Sequence, residues 1–319
     1  MYCTYDLIGS IRSILGDIVA PPRSAWPKRT ADAWLSFHQV HGLIVAGNEQ
    51  GVIDGRGESW WNSPGPRPTA LKFSRCDGLQ VRGLKHRNSQ RNHVSIDGCN
   101  GATISNLDIK APAKSPNTDG IDISASTNLR IHDCLVATGD DCIAIKAGTS
   151  NVQISNIACG PGHGISIGSL GEGGGRDEVE GISITNSKFT RTENGVRIKT
   201  WQGGSGFAKN ITFSGITFVA ADNPIIIDQN YCPHQKCAAK SSAVKISDVK
   251  YSGLHGTSIG KKATIDFSCS NTVPCTNIVM DDVNIESADP RHHSTTAHCT
   301  NAHGTAHAVH PPVNCLINH

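Results

Sequence analysis

No apolar stretch in the 319 residues is long enough to span a bilayer, which excludes a membrane-crossing helix and, on this reading, a membrane partner. Runs of Lys or Arg are missing too. With a net charge of only +2 and a pI near 8.0, nucleic acid is not expected as a partner, and an anionic substrate must be met by a local cluster of cations. Aromatic residues are scarce at 5%, and long Leu, Ala, Glu and Lys stretches are few, so amphipathic helices are not the main building block. Residues 1–6, Met-Tyr-Cys-Thr-Tyr-Asp, contain neither the basic nor the apolar segment of a secretion leader.

What is abundant is glycine, with 33 residues, and short runs of β-branched residues. After Ile11, Ile14, Ile18 and Val19, read as a strand, comes a Pro-rich loop that starts at Pro21. From Trp34 onward one pattern recurs nine times: Gly, Asn or once Ala, followed by alternating apolar residues. Gly42-Leu43-Ile44-Val45, Asn128-Leu129-Arg130-Ile131 and Asn277-Ile278-Val279-Met280 are examples. A second series interleaves with it, beginning at Asn92, Asp119, Asp141, His163, Asn194 and Asn223 at unequal steps. Its third and fifth positions are aliphatic every time, from Val94 and Ile96 to Ile225 and Ile227. Equal strands separated by unequal loops describe stacked coils with variable insertions, and the expected fold is a parallel β-helix with inward aliphatic ladders. A β-sandwich is the alternative, but it would show hairpin turns between irregular strands.

Stacking in register has a chemical consequence. Asp119, Asp141 and His163 then lie above one another on adjacent coils, neighbours about 5 Å apart, with Asp140 beside them. Outward positions between the core aliphatics are Asp122, Ala144, Ser166 and Arg197, followed by Ser124, Lys146, Gly168 and Lys199. Any one of these polar residues is most simply a solvated side chain. The set is not, because crowded carboxylates raise at least one pKa and cost stability unless something uses the arrangement. A protonated carboxyl beside an ionised one is what general acid/base hydrolysis of a glycosidic bond requires.

Asn117-Thr118-Asp119-Gly120, Gly139-Asp140-Asp141-Cys142, Gly162-His163-Gly164 and Arg197-Ile198-Lys199 resemble, in order, the four signature motifs of the plant-type polygalacturonases of glycoside hydrolase family 28. The resemblance extends through 160–171, 194–206 and 223–232 and covers about residues 10–315. It implies an all-β, single-stranded, right-handed parallel β-helix that hydrolyses α-1,4-linked galacturonan (pectin) with inversion and uses neither metal nor organic cofactor. By the same resemblance Asp140 is the general acid, Asp119 and Asp141 hold and deprotonate the attacking water, and His163 tunes the acid. Arg197 and Lys199 bind galacturonate carboxylates, while Tyr231 and Asn117 contact the sugar. Carboxylates only about 5 Å apart would suggest retention by the general separation rule, so inversion here rests on the resemblance. An inactive pectin- or wall-protein-binding β-helix and a pectate lyase are the alternatives.

Twelve cysteines, with the close pairs Cys232 and Cys237 and Cys269 and Cys275, suit small disulfides and a secreted, cell-wall protein. The family's plan, as the resemblance carries it over, adds Cys142 to Cys159 and Cys299 to Cys315; Cys76, Cys99 and Cys134 are expected as buried small hydrophobes. One domain is expected over 1–319, a monomer, without the family's leader and first capping coil and with a solvated His-rich tail over 290–319. Gly164-Ile165-Ser166-Ile167-Gly168 matches a serine-hydrolase pattern, but its isoleucines fall on core columns and leave no sharp elbow. The run at 171–175 is an insertion rather than a phosphate loop, because no Lys-Ser/Thr and no helix follow. Asn210-Ile211-Thr212 is a glycosylation sequon. Lys146 stands where a small or polar residue is expected, and it either adds a cation to the cleft or leans into solvent, the second being preferred.

Overall fold

The computed structural model describes residues 2–3, 11–26, 32–233, 237–241, 243–260, 262–289, 291 and 294–316. Among these, two parallel sheets of eleven and sixteen strands run the length of a solenoid, each strand pairing with its equivalent one coil earlier and one coil later. The second series of the sequence builds the eleven-stranded front sheet. Ile121 pairs with Val94 and Ile143, and Ile165 with Ile143 and Val196, so the aliphatic columns stack as the alternation requires. All of these residues are fully buried. At roughly 1.5–3 kcal/mol for each buried aliphatic side chain, the ladders are the main source of stability.

The recurrent Gly and Asn of the first series have a backbone cause. Gly78, Gly101, Asn128, Asn151, Gly181, Asn210 and Asn277 all hold positive φ, between 54° and 71°. The chain turns a corner into the sixteen-stranded sheet there, and Gly, Asn and Asp tolerate that left-handed geometry most cheaply. A second corner lies within the long strands of that sheet at Asp133, Asn156, Gly215, Gly253 and Asp282, and between two strands at Asn186, again all at positive φ. Asn156 donates to Asp133 Oδ1 at 3.0 Å, which ties successive coils at the corner. Asn210 of the sequon is exposed on the first corner.

Four disulfides are present: Cys142–Cys159, Cys232–Cys237, Cys269–Cys275 and Cys299–Cys315. Cys76, Cys99 and Cys134 are free and buried. The C-terminal region departs from expectation. Rather than a solvated tail, Ala297–Thr300 and Ala302–His310 are the last strands of the two sheets, pairing with Ile265–Ser268 and Cys275–Ser287. The histidines sit at outward positions while Ala302 and Val313 close the core, so the His-rich composition concealed a strand with a polar outer face. Residues 1, 4–10, 290, 292, 293 and 317–319 of the expected termini lie outside the described residues.

Candidate active site

The outward face of the front sheet carries the acidic group. Asp122, Ala144, Ser166 and Arg197 form one outward column, and Gly168 pairs with Lys199 in the next. Asp119 and Asp140–Asp141 lie just before the strands Ile121–Ser124 and Ile143–Ile145, where the chain enters the sheet. Glycine is required here: a Cβ on Gly120 would meet the Cys142 carbonyl oxygen at 2.5 Å, and one on Gly164 would meet that of Gly195 at 2.2 Å. These close approaches let successive coils bring Asp119, Asp141 and His163 together.

The three carboxylates have different surroundings. Asp141 is buried and fully engaged: Arg197 Nη2 and Ser166 Oγ donate to its Oδ1 at 2.9 and 2.8 Å, and Lys199 Nζ to its Oδ2 at 2.8 Å. Burial pushes its pKa up, but the Lys199 and Arg197 charges outweigh this and hold it below the usual range. Asp140 Oδ1 faces His163 Nδ1 at 3.1 Å and accepts from the Asp141 backbone N–H at 2.8 Å. Burial again works upward, yet the hydrogen bond and charge of His163 bring Asp140 down to about 2. His163 is raised, first by its Asp140 hydrogen bond and, against burial, by the charges of Asp140, Glu193 and Asp141. Glu193 Oε2 lies 3.2 Å from His163 Nε2. Asp119 accepts no side-chain bond among the described residues, and burial with the charges of Asp122, Asp140 and Asp141 pushes it well above the ordinary carboxylate value. In the free protein the pair's proton therefore rests on His163, and Asp119 is the carboxylate that most readily takes up another.

All the residues proposed from sequence sit in or beside one cleft of about 290 Å³, lined by Asn117, Asp119, Asp140, Asp141, Lys199 and Tyr231 among others. His163 and Arg197 reach it through Asp140 and Asp141. Asn117 Nδ2 lies 3.3 Å from Asp140 Oδ2, and the Tyr231 ring lies under Lys199 Nζ at 5.5 Å. For Lys146 the structure selects the cleft over the preferred solvent reading. It does not lean into solvent; its Nζ lies 2.5 Å from Asp122 Oδ2, and it lines the same cleft. The buried Asp122 carboxylate attracts it, a pull that spacing alone does not reveal. Arg67 and Arg91, from loops of the preceding coils, were missed altogether. Arg91 lines the cleft, and Arg67 donates to Asn117 Oδ1 at 2.6 Å. Ser166, the would-be nucleophile, is a buried strand residue that instead donates to Asp141.

Among the described residues, Asp140, Asp141 and His163 form the group whose donor atoms converge within 4.8 Å, close enough for a metal ion. Both Asp141 oxygens already meet cations and His163 Nδ1 already meets Asp140, so a divalent ion would have to displace these contacts.

The sequence profile of Glycosyl hydrolases family 28 matches residues 22–309. A probable polygalacturonase of Arabidopsis thaliana is 50% identical over 95% of this chain and 66% of its own length. Polygalacturonase-2 of Solanum lycopersicum is 45% identical over 85% of this chain and 60% of its own length. The chain thus spans less than two thirds of the length of these relatives. Among solved structures, the endo-xylogalacturonan hydrolase of Aspergillus tubingensis superposes with a TM-score of 0.75 at 25% identity, covering 98% of this chain and 89% of that one. The polygalacturonase of Erwinia carotovora superposes at 0.72 and 23% identity, covering 92% and 81%, and shares the fold.

Proposed function

The chain belongs to glycosyl hydrolases family 28, and from that premise we propose that it hydrolyses the α-1,4 bonds of galacturonan by single displacement with inversion. One observation supports this most: an Asp140–His163 pair sharing a proton, an ungripped Asp119 and an Asp141 clamped by Arg197 and Lys199 border the same cleft.

Asp140 is the general acid. In the open cleft its proton is held on His163; when a sugar excludes water, two buried opposite charges become costlier than a neutral pair, and the proton crosses the 3.1 Å to Asp140. From there it goes to the leaving glycosidic oxygen. Asp119, the most basic of the three carboxylates, accepts the proton of the attacking water, which Asp141 helps to hold. The attacking water sits beside the carboxylates rather than between them, which lets closely set groups act with inversion. Arg197 and Lys199 retain donors beyond those given to Asp141, and these meet a substrate carboxylate. Tyr231 and Asn117 contact the sugar. Four disulfides support secretion to the cell wall as the setting.

The test is release of reducing ends from polygalacturonate, with the anomer first formed read by NMR. Asp140→Asn is expected to lower kcat roughly 10²–10⁴-fold with little change in KM. An Asn variant as active as the wild type would remove Asp140 from the role of acid, and no activity in well-folded wild type would overturn the reading itself.

A further inference from the structure

Arg197 and Lys199 are not the only cations of the cleft. Toward the lower-numbered coils its wall carries Arg91 and Lys146. Lys146 shares an outward column with Lys199, with Gly168 between them, because Ile145 pairs with Ile167 and Gly168 with Lys199. The two lysines are thus two coils apart, about 10 Å along the solenoid. Gly168 and Ser169 line the cleft between them. The two ammonium groups also lean onto different carboxylates, Lys199 onto Asp141 and Lys146 onto Asp122. Asn92 Nδ2 contacts the same Asp122 oxygen and fixes that carboxylate as a floor.

The two ends set two cations against one carboxylate each and differ in how the cations are paired. At one end, Arg197 and Lys199 both touch Asp141. At the other, Lys146 is matched by Asp122, and its side chain is still 40% exposed to the cleft, while Arg91 is exposed and makes no ion pair among the described residues. Burial disfavours the Lys146 cation, but Asp122 and Asp119 more than restore it, so it stays charged. A polymer with a carboxylate on every sugar would find positive charge at both ends of the acidic group.

We propose that Lys146 and Arg91 form a second carboxylate-binding position in the same cleft, on the side of Arg197 and Lys199 toward the lower-numbered coils. Its ligand is the free carboxylate of a galacturonate unit, and a methyl ester at that unit is rejected because it offers no charge to the ammonium. The proposal rests on the galacturonan reading above and deepens it: the sugars on both sides of the cleaved bond must be unesterified.

Calorimetry on the Asp140→Asn protein, with hexagalacturonate and its fully methylated ester as probes, measures binding without turnover. An inactive wild type in the hydrolysis assay therefore overturns the proposed reaction, while the binding ratio decides this inference independently. Lys146→Met in that background is expected to weaken hexagalacturonate about tenfold, in line with loss of one charge-assisted contact. It should leave the ester within about twofold, and Lys146→Arg should recover most of the loss. Arg91→Gln, which removes an exposed side chain, is expected to act in the same direction by about threefold, and it decides the matter if Lys146→Met does not fold. An equal loss for both probes, or no loss for either, would reduce Lys146 to a counter-ion of Asp122 and overturn the proposal.

Discussion

At the scale of the residue, identical side chains acquire different chemistry from their neighbours. Asp141, Asp140 and Asp119 are all aspartates on adjoining coils. The first is held low by two cations, the second is brought to about 2 by His163, and the third is pushed up by burial and repulsion. Glu193 extends this logic, because its carboxylate lies against the far nitrogen of His163. Removing that charge in Glu193→Gln should lower the His163 pKa. The pair then loses its proton at a lower pH, and the alkaline limb of kcat against pH moves down. With half of the Glu193 side chain exposed, solvent screening keeps the shift small. A limb that stays in place or moves up would show that Glu193 does not act on His163.

At the scale of the element, the strands are set by alternation and their ends by backbone conformation. The corner at Asp133, Asn156 and Asn186 requires left-handed φ, at 56°, 55° and 49°. Asn156→Gly keeps the left-handed backbone and is expected to lose only the exposed bond to Asp133. Asn156→Ala should cost about 1 kcal/mol from the strained backbone, with a further contribution from the lost bond to Asp133. The urea midpoint checks this order, and an Ala variant as stable as the Gly variant would contradict it. These corners were legible in the sequence as recurrent Gly and Asn, although their cause was not, since the pattern records which residue is tolerated and not which φ it adopts. The strand at 302–310 was missed for a related reason. Its inner face is only partly buried, and the outer one is rich in histidine, so composition outweighed alternation.

At the scale of the whole molecule, one core runs through every coil, and a flaw in a ladder affects the entire stack. His86 occupies such a position, pairing with Ile53 and Ile109, and both its ring nitrogens are buried without partners. It packs edge-on to His93 at 5.5 Å. Burial, with the neighbouring charges, lowers His86 well below its usual value, and burial takes His93 down to about 4. As pH falls below about 6.5 the unfolded chain binds protons that the folded one refuses. Stability contributed by a neutral His93 is therefore lost between about 6.5 and 4, on the order of 3 kcal/mol. His86 adds to this. Thermal unfolding measured from neutral to acid pH should show a steeper decline in the wild type than in His86→Leu, which also removes the orphaned nitrogens. Parallel curves would mean that the histidines do not govern acid stability.

The sequence by itself determined the rungs, the faces of the strands and the four motifs that stack as one acidic row, because these follow from period-two alternation and from residues tied to particular backbone angles. The pairing of Lys146 with Asp122, the arrival of Arg67 and Arg91, and the distinct charge states of three like carboxylates were decided only in the tertiary structure. Such features depend on which loops close over the cleft and on how far each group is taken from water. Both are sums over neighbours in space, and neighbours in space are not written in order along the chain.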